Sequence, residues 1–130
     1  GDVVSEVLAF LRGRTRELVE AGIGRERIML DPGFGFGKTL EHNLTLLDRL
    51  ETITAEGIPV LVGMSRKSML GKITGRDVAD RMPASIAAAS VAMMKGAAVV
   101  RAHDVAETVD AARLVRALGQ VHADREQNHG

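Results

Sequence analysis

Three short apolar runs, Ile28-Met29-Leu30, Val60-Leu61-Val62 and Ala98-Val99-Val100, are each followed by a longer segment with helical periodicity. They recur roughly every thirty to forty residues, the repeat length of a strand with its crossover helix. A short run that is apolar at every position is a strand covered on both faces, as in a parallel sheet. Parallel neighbours need a crossover between them, and the helical segments supply it. Two architectures fit this alternation, an open doubly wound sheet and a (β/α)8 barrel. Local pattern alone does not choose between them.

The helices can be placed from their apolar spacing. Residues 3 to 21 carry Val4, Val7, Leu8, Leu11, Leu18 and Val19, and Gly22 and Gly24 mark the stop. Leu40, Leu44, Leu47, Leu50 and Ile53 define a second helix, ended by Gly57. The stretch Ala84 to Lys95 is rich in Ala and Ser and predicts a helix packed closely on a neighbour, closed by Gly96. The last helix starts at Asp104 as N-cap, with Glu107 three residues on in a capping-box pattern. From His122 to Gly130 the chain is polar, and a disordered tail is expected there, leaving residues 1–121 as the domain. The chain opens at Gly1, and its first helix shows no cap, which leads one to expect an incomplete domain.

Composition narrows the function classes. Seventeen basic and seventeen acidic residues give no net charge, and the basic residues are scattered, so neither a nucleic-acid surface nor an anionic membrane is indicated. With no cysteine there is neither a disulfide framework nor a thiolate metal site. No apolar run approaches the length of a membrane span or signal peptide, and a cytoplasmic location is expected.

Polar residues gather just past the C-terminal ends of the three strands, the active-site edge in both candidate architectures. After the first strand comes Asp31-Pro32-Gly33-Phe34-Gly35-Phe36-Gly37-Lys38. Its glycines let the backbone turn sharply and let a ligand approach closely. Phe34 or Phe36 offers an aromatic wall for a flat ligand, or else a lid on the core. Asp31 either caps the turn or accepts paired hydrogen bonds from an amidine-like edge. Gly37-Lys38-Thr39 invites comparison with the phosphate loop, but that motif needs a glycine where Pro32 stands. The dinucleotide fingerprint fails as well, because its third glycine falls on Lys38.

After the second strand, Arg66, Lys67 and Ser68 lie near a helix start, where N–H groups and the dipole favour anions; the alternative is a solvated basic turn. After the third, Arg101 and His103 alternate and point to one side, as a pyrophosphate-binding pair would. Asp104 is read as a cap. His42, His122 and His129 lack metal-ligand spacing.

Taken together, DPGFGFGK at 31 to 38, LVGMSRKS at 61 to 68 and RAHD at 101 to 104 resemble the last three strand-end signatures of the dihydropteroate synthases, a family of pterin-binding enzymes. The resemblance covers all but the tail. It implies a (β/α)8 TIM barrel of which this chain holds the C-terminal part, the sixth to eighth strand-helix units. It also implies that Asp31 holds the pterin's amino-pyrimidinone edge, with Gly63 and Lys67 lining that pocket. Arg101 would pack on the pterin ring and, with His103, bind the pyrophosphate. Ser68, Phe36 and Arg66 would form the p-aminobenzoate side.

The implied reaction joins a pterin diphosphate to p-aminobenzoate with loss of pyrophosphate, in folate biosynthesis, and the family it implies is a sulfonamide target. Mg2+ is expected on the pyrophosphate, with its protein ligand near the absent first strand, and a homodimer is expected of the full-length enzyme. The closest alternative is a methyltetrahydrofolate-dependent methyltransferase, which has no pyrophosphate to hold. A non-catalytic partial barrel is the third reading.

Overall fold

The computed structural model describes residues 2–35 and 37–129. The first helix, α1, spans Val3–Glu20, and Asp2 caps it by accepting a hydrogen bond from the Val4 N–H at 3.1 Å. The expectation of an uncapped start is therefore corrected: a two-residue lead was too short to show the cap as a pattern, yet the carboxylate meets the exposed first turn. A single 3-10 turn, Arg25–Arg27, leads into the first extended segment.

Between Thr39 and Gly57 the expected single helix divides into α2, Leu40–Asp48, and α3, Leu50–Thr54. Arg49, at φ −107° and ψ 25°, breaks the helical run between them. Both pieces keep the apolar spacing, so Leu46, Leu50 and Ile53 are all fully buried. Strand β1, Leu61–Val62, is followed by α4, Ser68–Thr74, and then by a 3-10 turn at Val78–Asp80. Helix α5 is Met82–Met94 with Pro83 in its first turn, where a missing N–H costs nothing. Strand β2, Val99–Val100, precedes α6, Val105–His129, which continues helically past Val121 where the composition pointed to a tail.

The two strands pair in parallel, Leu61 with Val99 and Val62 with Val100. The first extended segment joins them through one parallel bridge, Leu30 with Val60. Leu30 donates to the Pro59 carbonyl and accepts from the Leu61 N–H, both at 2.8 Å. The ladder goes no further back because the Ile28 N–H is spent on Arg25 and Pro59 has no N–H to give. The order in space is thus first, second, third, as successive strand-helix units in parallel require.

Period-two alternation gives this sheet two faces. Ile28, Leu30, Val60 and Val62 point to the helices and are buried, with Phe34 closing the core above them. Met29, Leu61 and Val99 point the other way, and Met29 remains 49% exposed. On α5 the small residues Ser85, Ala88, Ala89 and Ala92 are buried within the chain. Close packing there is as the composition predicts. No helix among the described residues is long and apolar enough to cross a membrane.

Candidate functional site

Continuing each strand by one alternation carries Asp31, Gly63 and Arg101 onto the face of Met29, Leu61 and Val99, at one edge of the sheet. The glycine-rich segment forms one wall beside this edge. Gly33, Gly35 and Gly37 all have positive φ, at 75°, 89° and 63°, a region a side chain disfavours. The wall is braced from three directions. Asp31 Oδ1 accepts from the Gly33 N–H at 2.8 Å, and the Gly35 N–H donates to Oδ1 of buried Asn43 at 2.9 Å. Lys38 Nζ donates to the Gly33 carbonyl at 2.8 Å.

Phe34 is 1% exposed and belongs to the core, so of the two readings it is the lid; Phe36 lies outside the described residues. Asn43 was missed by sequence reasoning. Its signal, a polar residue on the apolar side of a helix, is visible only once the helix is known to face the loop.

Lys67 reaches back across the edge to donate to the Phe34 carbonyl. Burial and the neighbouring Arg101 guanidinium lower its pKa; Asp31 opposes the shift and Lys38 adds to it. Three cations and one carboxylate therefore share this corner, an excess of positive charge that an anionic ligand would relieve. Arg101 lies directly over Gly63: a Cβ built there would come 2.5 Å from Nη2 and 2.9 Å from Cζ. Glycine lets a flat guanidinium lie on the backbone. Ser65, Lys67, Arg101 and His103 line a cavity of about 120 Å³ at this point.

Arg66 is the one non-glycine residue with positive φ among those described, at 57°. Three groups hold it there. Its N–H donates to the buried Ser85 hydroxyl at 2.8 Å, its carbonyl accepts from Arg81 at 3.1 Å, and its guanidinium meets Asp104 Oδ1 at 2.7 Å. The left-handed turn sends its neighbours to opposite sides, Lys67 toward the glycine-rich wall and Ser65 toward His103. Asp104 stands at the cap position of α6, its carbonyl accepting from the Thr108 N–H at 3.0 Å, but its side chain receives the Arg66 guanidinium.

The edge thus gathers Asp31, Gly63, Lys67, Arg101 and His103. Ser68 opens α4 and is exposed. His42 takes part in the Thr39 capping box of α2, and among the described residues no cluster of three or more His, Asp or Glu could hold a metal.

These residues build a parallel α/β unit with a glycine-walled, cation-rich edge and one carboxylate. Residues 1–103 match the family model of pterin binding enzymes, and the chain belongs to that family. It is 52% identical over 120 residues to the dihydropteroate synthase of Neisseria meningitidis serogroup C, covering 91% of this chain and 42% of that protein. Among solved structures, the Yersinia pestis dihydropteroate synthase in a sulfonamide drug complex superposes with a TM-score of 0.89 at 42% identity, over 92% of this chain and 44% of that one. The Xanthomonas albilineans dihydropteroate synthase in complex with 7,8-dihydropteroate gives 0.88 at 44% identity, over 91% of this chain and 44% of that one. The chain therefore spans less than half the length of the curated relatives it matches.

Proposed function

We propose that residues 1–121 are the sixth to eighth strand-helix units of a (β/α)8 barrel and carry the pterin and diphosphate side of a dihydropteroate synthase site. The observation that carries this reading is the corner where Arg101, Asp31 and Lys38 all lie within electrostatic reach of Lys67. A neutral ligand would make no use of the positive charge at this corner. An anion alone would not use the carboxylate. A pterin diphosphate uses both: its amino-pyrimidinone edge donates two hydrogen bonds to Asp31, and its diphosphate meets Arg101 and His103. Gly63 and Lys67 line the ring's pocket.

In the proposed reaction the amine nitrogen of p-aminobenzoate attacks the methylene carbon of 6-hydroxymethyl-7,8-dihydropterin diphosphate. The carbon–oxygen bond to the diphosphate breaks, pyrophosphate leaves with the electron pair, and the amine loses a proton to solvent. The products are 7,8-dihydropteroate and pyrophosphate. The chain's contribution is positional and electrostatic, stabilising the leaving anion without a covalent intermediate. The p-aminobenzoate side is assigned to Ser68, Phe36 and Arg66. Arg66 would help shape it through the turn it holds, because its N–H, its carbonyl and its guanidinium are all engaged within the chain. Magnesium is expected with the pyrophosphate, and its protein ligand is assigned to the N-terminal part of the barrel. Homodimerisation and a cytoplasmic location are inferred from the family.

The test is Asp31→Asn in a full-length synthase carrying this segment. Asn can still accept from Gly33 but loses the charge that strengthens the paired bond, a loss on the order of 1.5 to 3 kcal/mol. Calorimetry should show pterin affinity falling far more than p-aminobenzoate affinity. Unchanged pterin binding would refute the assignment.

A further inference from the structure

Ser65 plays no part in the reading above, yet it is the residue through which the second strand-end loop meets the third. Its Oγ accepts from the backbone N–H of His103 at 3.2 Å and lies 2.9 Å from Nδ1 of the same residue. We propose that Ser65 is a positioning residue that sets the tautomer of His103, keeping the proton on Nε2 so that the ring presents an N–H donor to the diphosphate. This rests on the reading of the site as one that takes a diphosphate.

A serine hydroxyl has one proton and two lone pairs. One lone pair is taken by the His103 N–H. The short contact to Nδ1 is then either the hydroxyl donating to a bare Nδ1, or an Nδ1–H donating to the second lone pair. In the second case the Nε2 of a neutral ring would be a bare lone pair, on a residue that lines a cavity with Lys67 and Arg101, whose charges draw an anion. A lone pair facing an anion is repulsive.

In the first case every group is matched: the hydroxyl spends its proton on Nδ1, and Nε2–H is the donor left for the ligand. The two contacts also fix the ring's swing, since the same oxygen holds both the backbone and the side chain of His103. Ser65 is aimed there by the left-handed turn at Arg66, so the strained residue and the tautomer belong to one device.

Ring ¹⁵N shifts of His103 in a full-length synthase carrying this segment, read well above the ordinary imidazole range at about pH 9, report the tautomer directly. His103 should show a pyridine-type Nδ1 and a pyrrole-type Nε2. Ser65→Ala should move both toward the averaged shifts of an unconstrained imidazole, and Ser65→Thr, which keeps the hydroxyl, should restore them. Titration with inorganic pyrophosphate should perturb Nε2, and Ser65→Ala should weaken binding about threefold to tenfold. A pyrrole-type Nδ1 in the wild-type chain, or shifts in Ser65→Ala equal to wild type, would overturn the proposal. If the tautomer is as stated but saturating pyrophosphate leaves Nε2 unmoved, the Ser65 pairing stands and the diphosphate reading of the site falls.

Discussion

A Cβ placed on Gly63 would stand 2.5 Å from Nη2 of Arg101. The absence of a side chain at the end of one strand is what gives the guanidinium at the end of the next its place. Any substitution at residue 63 is therefore read out at residue 101.

Gly63→Ala separates folding from binding. The obstructing atoms are the far end of an exposed, flexible side chain, so the arginine can swing aside at little cost to the fold. Urea unfolding should shift by less than about 1 kcal/mol. Affinity for pterin in a full-length parent should drop by roughly tenfold, because Arg101 no longer lies flat over the site; about 1.4 kcal/mol is one such factor. Equal losses in stability and binding would argue against this separation.

At Arg66 the usual order of glycine and alanine should invert. Both substitutions remove the guanidinium and its bond to Asp104, so their difference isolates the backbone. Alanine at φ 57° bears a left-handed strain that glycine avoids, and this outweighs glycine's larger entropy loss on folding. Arg66→Gly should be more stable than Arg66→Ala by about 0.5 to 1 kcal/mol in denaturant midpoints. Alanine proving the more stable would mean the turn relaxes once the arginine is gone.

The partly buried ammonium of Lys67 makes stability depend on pH in a stated direction. Its folded pKa lies below the ordinary value of 10.5, because of burial first and the Arg101 charge second. The unfolded chain thus holds this proton more tightly, and protonated Lys67 opposes folding. That cost is fully present below the folded pKa and is relieved as pH rises from there toward 10.5. Comparing wild type with Lys67→Met by urea denaturation, the wild-type stability relative to the variant should grow across this window. A flat or falling difference would show that the lysine is not desolvated.

The polypeptide of residues 1–130 alone should show no measurable synthase activity. Three parallel segments cannot close a barrel, and both outer segments have a backbone edge with no described strand beside it. The face bearing Met29 and Val99 also stays partly exposed. Anion stabilisation needs preorganised walls, and positioning is worth several powers of ten in rate, on the order of 10⁵ or more in effective concentration. Pyrophosphate release should be measured with both substrates and magnesium, then repeated with the missing half of a relative added in trans. Turnover by the lone chain near that of an intact synthase would refute the partial-barrel assignment.

Much of this was determined by the sequence alone. The apolar runs, the glycines behind each helix and the polar residues after each run specified a parallel α/β unit. They also placed Asp31, Gly63, Lys67, Arg101 and His103 at one edge. Those features are local: periodicity and turn chemistry act over a few residues, so they are written where they act. The tertiary structure decided what depends on residues dozens of positions apart. It sent Phe34 into the core, broke the second helix at Arg49, aimed Asn43 at the glycine wall and gave Asp104 to Arg66. It also laid Arg101 over Gly63 and joined Ser65 to His103. Each of these is a choice among several nearby partners for one side chain. That choice follows from the distance between neighbouring strands in the packed sheet, which no local pattern encodes.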